Sequence, residues 1–183
     1  MAIFATGLRR DCLLPAGLEL LSMPEPQVTP NETVNLSAQE LAERVRDRMH
    51  ENDYATRALS IAIVEVGPGT SRARMTVRRD MLNGFAICHG GLITTLADTA
   101  FAYACNAHNE VTVASGLSVD FLAPANEGDV LDAECHEQSA RGRTGIYDVA
   151  VSNQRGERVA LFRGRSYRLR GKAVVDVHDD TNK

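Results

Sequence analysis

Residues 83–106 read NGFAICHGGLITTLADTAFAYACN. A His-Gly-Gly turn at His89, Gly90 and Gly91 leads into an apolar run. Between Gly84 and Asn109 there is no Lys, Arg or Glu, and the sole Asp is Asp98. Leu92, Ile93, Leu96, Ala97, Ala100, Phe101, Ala104 and Cys105 recur at helical spacing, which predicts a helix starting at Gly90 or Gly91. Thr94, Thr95, Asp98, Thr99 and Ala102 occupy its other side, all small and uncharged apart from the Asp. A helix so free of charge all round is wrapped by a sheet or packed at a subunit interface. Asp is a poor mid-helix residue, because its short side chain competes for nearby backbone hydrogen bonds. An unpaired carboxylate is also costly to bury. Asp98 is therefore a candidate general base or nucleophile.

Gly90 and Gly91 place backbone amides at a helix N-terminus, where partial positive charge collects. Such amides can stabilise the oxyanion of an attacked acyl carbonyl. The same glycines serve equally to make a tight loop-to-helix turn, and His89 can either contact a substrate or hold that turn. Asp98 follows Gly90 by eight residues, so at 1.5 Å rise it lies ~12 Å further along the helix. One acyl carbon cannot meet both groups at near-attack distance. If both act on one carbonyl, they come from different subunits.

Outward from the helix, Ser37-Ala-Gln-Glu40 is a capping box opening an amphipathic helix over 38–50. Leu59, Ile61 and Ile63 alternate with Ser60, Ala62 and Val64, predicting a strand that ends at Gly67-Pro68-Gly69. Ala73, Met75 and Val77 alternate with arginines and Thr76, which makes the pair a hairpin. After Asn109 the chain reads as strand. Val111, Val113, Leu117, Val119 and Phe121 are assigned one face, and Leu131, Ala133 and Cys135 the next strand. Tyr147, Val149 and Val151 follow, then residues 158–169. The expected fold is α+β, with an antiparallel sheet of five to six strands curled around one long helix. Residues 1–36, with four of the six prolines, read as an irregular extension, 37–170 as one domain, and 171–183 as a frayed polar tail.

The 183 residues, 24% charged and 44% apolar, fit one soluble domain. A net charge of −4 gives no reason to expect nucleic acid. Cys12, Cys88, Cys105 and Cys135 lack metal-ligand spacing and fit free thiols in a reducing compartment. No apolar run approaches the ~20 residues that span a bilayer. A cytoplasmic protein with no metal site is expected.

HGGLITTLADTAFAYACN resembles the helix of the hotdog-fold acyl-CoA thioesterases, specifically the PaaI-type (hydroxy)phenylacetyl-CoA thioesterases of phenylacetate degradation. The upstream MLNG, then TVASGLSVDFLAPA, then RTGIYDVAVSNQRGERVALFRGRSYRL match as well, so the resemblance covers roughly residues 37–170. It implies a hotdog fold and hydrolysis of an aryl-acetyl-CoA. Coenzyme A then belongs to the substrate, and no cofactor is implied. Asp98 matches the family's catalytic carboxylate and Gly90 the amide that polarises the thioester carbonyl. Asn83 matches a polar residue near the substrate, and His89 a support for the glycine turn. Substrate contact is expected to extend to Gly91, Thr99 and Ser115. Family members are dimers of dimers with sites at the dimer interface, in keeping with the spacing of Gly90 and Asp98. The departure from the family is residues 1–36, longer than its usual N-terminus.

From Arg141 to Lys172 there are nine Lys/Arg and two acids, Asp148 and Glu157. Arg141, Arg143 and Arg163 are candidates for the phosphates of coenzyme A. The same arginines also suit the wet faces of edge strands. Three rival functions stand beside the thioesterase reading. One is a non-catalytic acyl-CoA-binding module, which has no need of Asp98. Another is a hotdog hydratase, which needs a His placed for proton transfer at carbon. The third is a thioesterase for another aryl or medium-chain acyl group.

Overall fold

A computed structural model describes residues 36–177. The expected irregular extension, up to residue 35, and the last six residues of the expected tail lie outside them. Helix α1 spans Ala38–Glu51 and carries the full capping box, with Ser37 and Glu40 satisfying each other's amides. Helix α2, Tyr54–Ala58, follows at once. The strands are β1 Ala62–Gly67, β2 Thr70–Thr76, β3 Thr112–Phe121, β4 Val130–Arg141, β5 Thr144–Asn153 and β6 Arg158–Arg168, and helix α3, Gly90–Asn106, falls between β2 and β3. All strand pairs are antiparallel, in the order β1-β2-β4-β5-β6-β3.

The inner face of the sheet closes around α3. Ile93, Leu96, Ala97, Ala100, Phe101 and Ala104 meet Met75, Leu131, Val149, Val151 and Phe162 in one core. Phe101 sits edge-on to Tyr147, with ring centroids 5.4 Å apart. Gly164 leaves the space for it, since a Cβ there would come within 2.9 Å of the Phe101 ring. Asn106 fixes the end of α3 to the sheet, accepting the Thr112 amide and donating to the Thr112 carbonyl, both at 2.9 Å.

Four expectations change. Leu59 and Ile61 precede the strand: Leu59 caps α2, and Ser60 turns the chain at φ 56°. Both still pack on the core, which explains the apolar alternation that suggested a strand. In β3 the register shifts between Ala114 and Gly116, leaving Ser115 as an extra residue. This bulge swaps the faces. Thr112 is buried and Val113 is exposed, so Val113 does not share a face with Leu117, Val119 and Phe121. Strand β4 continues through the polar Glu137–Arg141, shortening the expected loop to a turn at Gly142. The start of the expected tail is tied down, because Asn109 accepts the Val174 and Val175 amides at 3.0 and 2.8 Å.

The two edges of the sheet differ. Strand β1 is short and bulged near Val64, and α1 packs beside it, with Ala42 meeting Val66. Gln39 of α1 donates to the Val66 carbonyl at 2.8 Å. Strand β3 is longer and, among the described residues, pairs on one side only, with β6. Leu117 and Phe121 are both partly open, although the strand register turns them inward. Among the described residues no helix is long and apolar enough to cross a membrane.

Candidate active site

The site begins with a loop that folds on itself. Asn83 Oδ1 accepts the amides of Phe85 at 2.9 Å and Ile87 at 3.4 Å, and the Asn83 amide donates to the Ile87 carbonyl at 2.8 Å. This is the local side-chain-to-backbone bonding that makes Asn a turn residue. Leu82 and Cys88 bridge across the loop base, and Ala86 takes a left-handed φ of 62° at its tip. Asn83 Oδ1 is thus committed to the loop, while no acceptor for its Nδ2 is found among the described residues.

His89 is the N-cap of α3, and its Nδ1 accepts the Gly91 amide at 3.0 Å. Its own amide donates to the Met81 carbonyl at 2.9 Å. The imidazole therefore does what a Ser or Asp does at other helix starts. Because Gly91 spends its amide on His89, the two glycines are not equivalent. The Gly90 amide is one of the donors a helix start leaves without an intrahelical partner, and it has no acceptor among the described residues. A Cβ at position 90 would meet Phe121 Cζ at 2.9 Å, so this position has room for glycine alone unless the ring moves. The Gly90 backbone opens onto an apolar groove of about 560 Å³ lined by Asn83, Ile87, Ile93, Phe121 and Pro124. Volumes of this order hold small ligands.

Asp98 lies two turns further along, half-buried. Its Oδ1 is buried with no hydrogen-bond partner among the described residues. Burial pushes its carboxyl pKa above the ordinary value. The neighbouring hydroxyls do not help: Thr94 donates to the Gly90 carbonyl and Thr95 to the Gly91 carbonyl, both at 2.9 Å. Thr99, next to Asp98, is half-buried. Burying an ionisable oxygen without a partner costs stability, so folding alone gives no reason to keep it.

The remaining expected contacts are scattered. Ser115 is the bulged residue of β3, exposed, and donates to the Arg165 carbonyl at 3.1 Å. Arg163 is on the outer face and grips Asp148 through two bonds at 2.6 and 2.7 Å. Arg143 donates to the Tyr167 hydroxyl at 2.8 Å and stacks on that ring, while Arg141 is exposed at the end of β4. Within one chain none of these arginines joins Gly90 in the groove. The run of positive charge expected over 141–172 is also partly neutralised, with Arg155 paired to Asp129 and Arg168 to Glu110. The contribution of Phe121 to the groove is not visible in the sequence, because alternation alone marks it as core. Pro124, three residues on, signals that the strand is ending there.

An amide at a helix N-terminus can receive an acyl oxygen, and a buried carboxylate can take a proton from water. Residues 85–160 match the Thioesterase superfamily. The chain is 46% identical over 123 residues to the acyl-coenzyme A thioesterase PaaI of Escherichia coli (strain K12), a match covering 67% of this chain and 88% of that one. The solved E. coli PaaI protein, from the phenylacetic acid degradation operon, superimposes with a TM-score of 0.73 at 43% identity, covering 74% of this chain and 99% of that one. A single-residue mutant of the phenylacetic acid degradation protein PaaI from Thermus thermophilus superimposes with a TM-score of 0.62 at 34% identity, covering 64% and 100%.

Proposed function

The chain belongs to the thioesterase superfamily and is an acyl-CoA thioesterase; from that premise we propose that it hydrolyses phenylacetyl-CoA, or its ring-hydroxylated counterpart, in phenylacetate degradation. The observation that carries the chemistry is the buried Asp98 oxygen, which, like the first amide of its helix, has no partner among the described residues. The thioester carbonyl accepts the Gly90 N–H. Asp98 takes a proton from water, and the resulting hydroxide adds to the carbonyl carbon. The oxyanion collapses, the C–S bond breaks, and coenzyme A leaves as a thiolate that is then protonated. A thiolate is a good leaving group, so a strong general acid is not essential. The reaction draws on the chain's own groups and no cofactor, with coenzyme A entering as part of the substrate.

Gly90 and Asp98 are ~12 Å apart on one helix, so the pair that meets one carbonyl spans two copies of the chain. The free edge of β3, with Leu117 exposed beside it, is the surface that suits a second copy. Antiparallel pairing there brings the β4–β5 turn of the second copy towards the Phe121 end of the first. Arg141 and Arg143 would then reach the coenzyme A phosphates across the boundary, with Thr99 beside Asp98 facing the acyl group. Val113, Ile146, Leu161 and Tyr167 remain exposed, a surface on which such dimers can pair into tetramers. The cytoplasm, where acyl-CoA is made and used, is the proposed location.

The test has two arms. Hydrolysis is measured across phenylacetyl, hydroxyphenylacetyl and straight-chain thioesters; phenylacetyl-CoA should be cleaved best. A medium-chain optimum would move the proposal to the rival substrate, and cleavage of none would refute it. Inactive Asp98→Asn chains are then mixed with inactive Gly90→Pro chains, with subunit exchange verified. Recovered activity supports shared sites, and its absence places both groups in one chain.

A further inference from the structure

Phe121 ends β3 on its inner face, with Leu117 and Val119 before it in the same register. Its ring points edge-first at Gly90. A Cβ there would lie 2.9 Å from Cζ, 3.2 Å from Cε2 and 3.3 Å from Cε1. The amide that would hold the thioester carbonyl is therefore on the residue the ring touches. Yet Phe121 as a residue is 52% exposed, left open beside an apolar groove. The rest of that groove is aliphatic or small, with Ile87, Ile93, Leu122 and Ala125 among its walls, and Phe121 is the one aromatic side chain lining it among the described residues.

We propose that Phe121 sets the preference for aromatic acyl groups, its open flank being the wall against which an aryl ring packs. The inference rests on the thioesterase reading above. In an arylacetyl thioester the ring is one methylene from the carbonyl carbon. Once the carbonyl accepts the Gly90 N–H, the aryl ring must lie close to Phe121. Aromatic pairs gain from offset or edge-to-face contact in addition to the area they bury. A straight alkyl chain gains only the area, which a leucine or methionine wall supplies almost as well. The aliphatic walls cannot discriminate in this way, so aryl preference is assigned to this one side chain.

The experiment compares kcat/KM for phenylacetyl-CoA and hexanoyl-CoA in the full-length wild type and in Phe121→Leu. Melting temperature and solution mass are read on the same preparations. The aryl-to-alkyl ratio should fall by about 3- to 10-fold in the variant, as expected for loss of one ring–ring contact. The kcat/KM for hexanoyl-CoA should fall by less than that for phenylacetyl-CoA, with the oligomeric state unchanged. If the leucine variant does not fold, Phe121→Met, also ring-free but more adaptable, replaces it. An equal loss on both thioesters, or loss of the assembly, would show that the ring serves packing and would overturn the proposal while leaving the thioesterase reading intact. A wild type that cleaves neither thioester overturns that reading, and this inference with it.

Discussion

Asp129, in the turn before β4, is 5% exposed, yet every demand of its carboxylate is met. Oδ2 accepts the Asn126 amide at 2.8 Å, and Oδ1 accepts Gln154 at 2.8 Å and Arg155 at 3.1 Å. The Asn126 amide, then Gln154 and Arg155, hold its pKa below the ordinary 3.8. Asp98, in the middle of α3, is less buried overall, but its Oδ1 is shut off from solvent and has no donor among the described residues, and burial moves its pKa the other way. Burial alone therefore does not decide which way a carboxylate's pKa moves; the supply of donors does. Asp129 stabilises the fold as an ion, and Asp98 is a stronger base because burial disfavours its charged form.

The largest effect expected from this contrast is on turnover. Asp98→Asn should lose ~10²–10⁴-fold in single-turnover rate while still binding the thioester, since the missing interaction belongs to the transition state. Asp129→Asn should turn over normally per folded molecule. Turnover within a few-fold of wild type in Asp98→Asn would end the proposed mechanism.

Next in size is stability, where the two roles reverse. Asp129→Asn removes charge-assisted bonds from a buried site and should cost about 1–3 kcal/mol in urea unfolding. Asp98→Asn should leave the unfolding midpoint unchanged or raise it. A marked loss of stability in Asp98→Asn would mean that the carboxylate has a structural partner in the assembled protein.

The pH dependence of these differences separates the residues further. Asp129 has a lowered pKa, so its contribution is present above the unfolded value near 3.8 and is lost as pH falls through the lower folded value. Asp98 has a raised pKa, so its ionised form burdens the fold at neutral pH, and the burden fades as pH falls through the folded value. Unfolding curves from pH 7 to 3 should show the advantage of Asp98→Asn over wild type shrinking before the disadvantage of Asp129→Asn does. Turnover of wild type should decline through a pH above 3.8. A rate that holds down to the range of an ordinary carboxylate would count against Asp98 as the base.

The smallest effect expected is at Arg163, whose fork with Asp148 is exposed on the outer face. Arg163→Gln should leave stability nearly unchanged, as usual for surface pairs, and should leave KM for the thioester alone. A several-fold rise in KM would return Arg163 to the substrate and place coenzyme A on the outer face.

The oddity of Asp98 is legible in the chain itself, because a lone acid in an uncharged helix is visible as a pattern. So are the Gly-Gly helix start behind His89 and the central helix, whose periodicity is long and clean. The partners of Asp129 are not, because Gln154 and Arg155 reach it from the β5–β6 turn and no local pattern joins them. The pairing of Arg163 with Asp148 depends on the β5–β6 register in the same way. The bulge at Ser115 hides the true faces of β3, since one extra residue reverses every assignment on one side of it. Gly116 is its available signal, a glycine inside a strand often marking such a site.

The unlike edges of the sheet set a limit on growth. An open strand edge is a template for adding another strand, and a protein with two such edges can polymerise without end. Among the described residues the outer side of β3 carries no strand, whereas the edge at β1 is bulged, flanked by α1, and has its Val66 carbonyl occupied by Gln39. If two copies join through β3 as proposed, both remaining edges are blunted β1 strands. Extension along the sheet would then terminate at the pair, and the strand that accepts a neighbour would not become a seed for fibres.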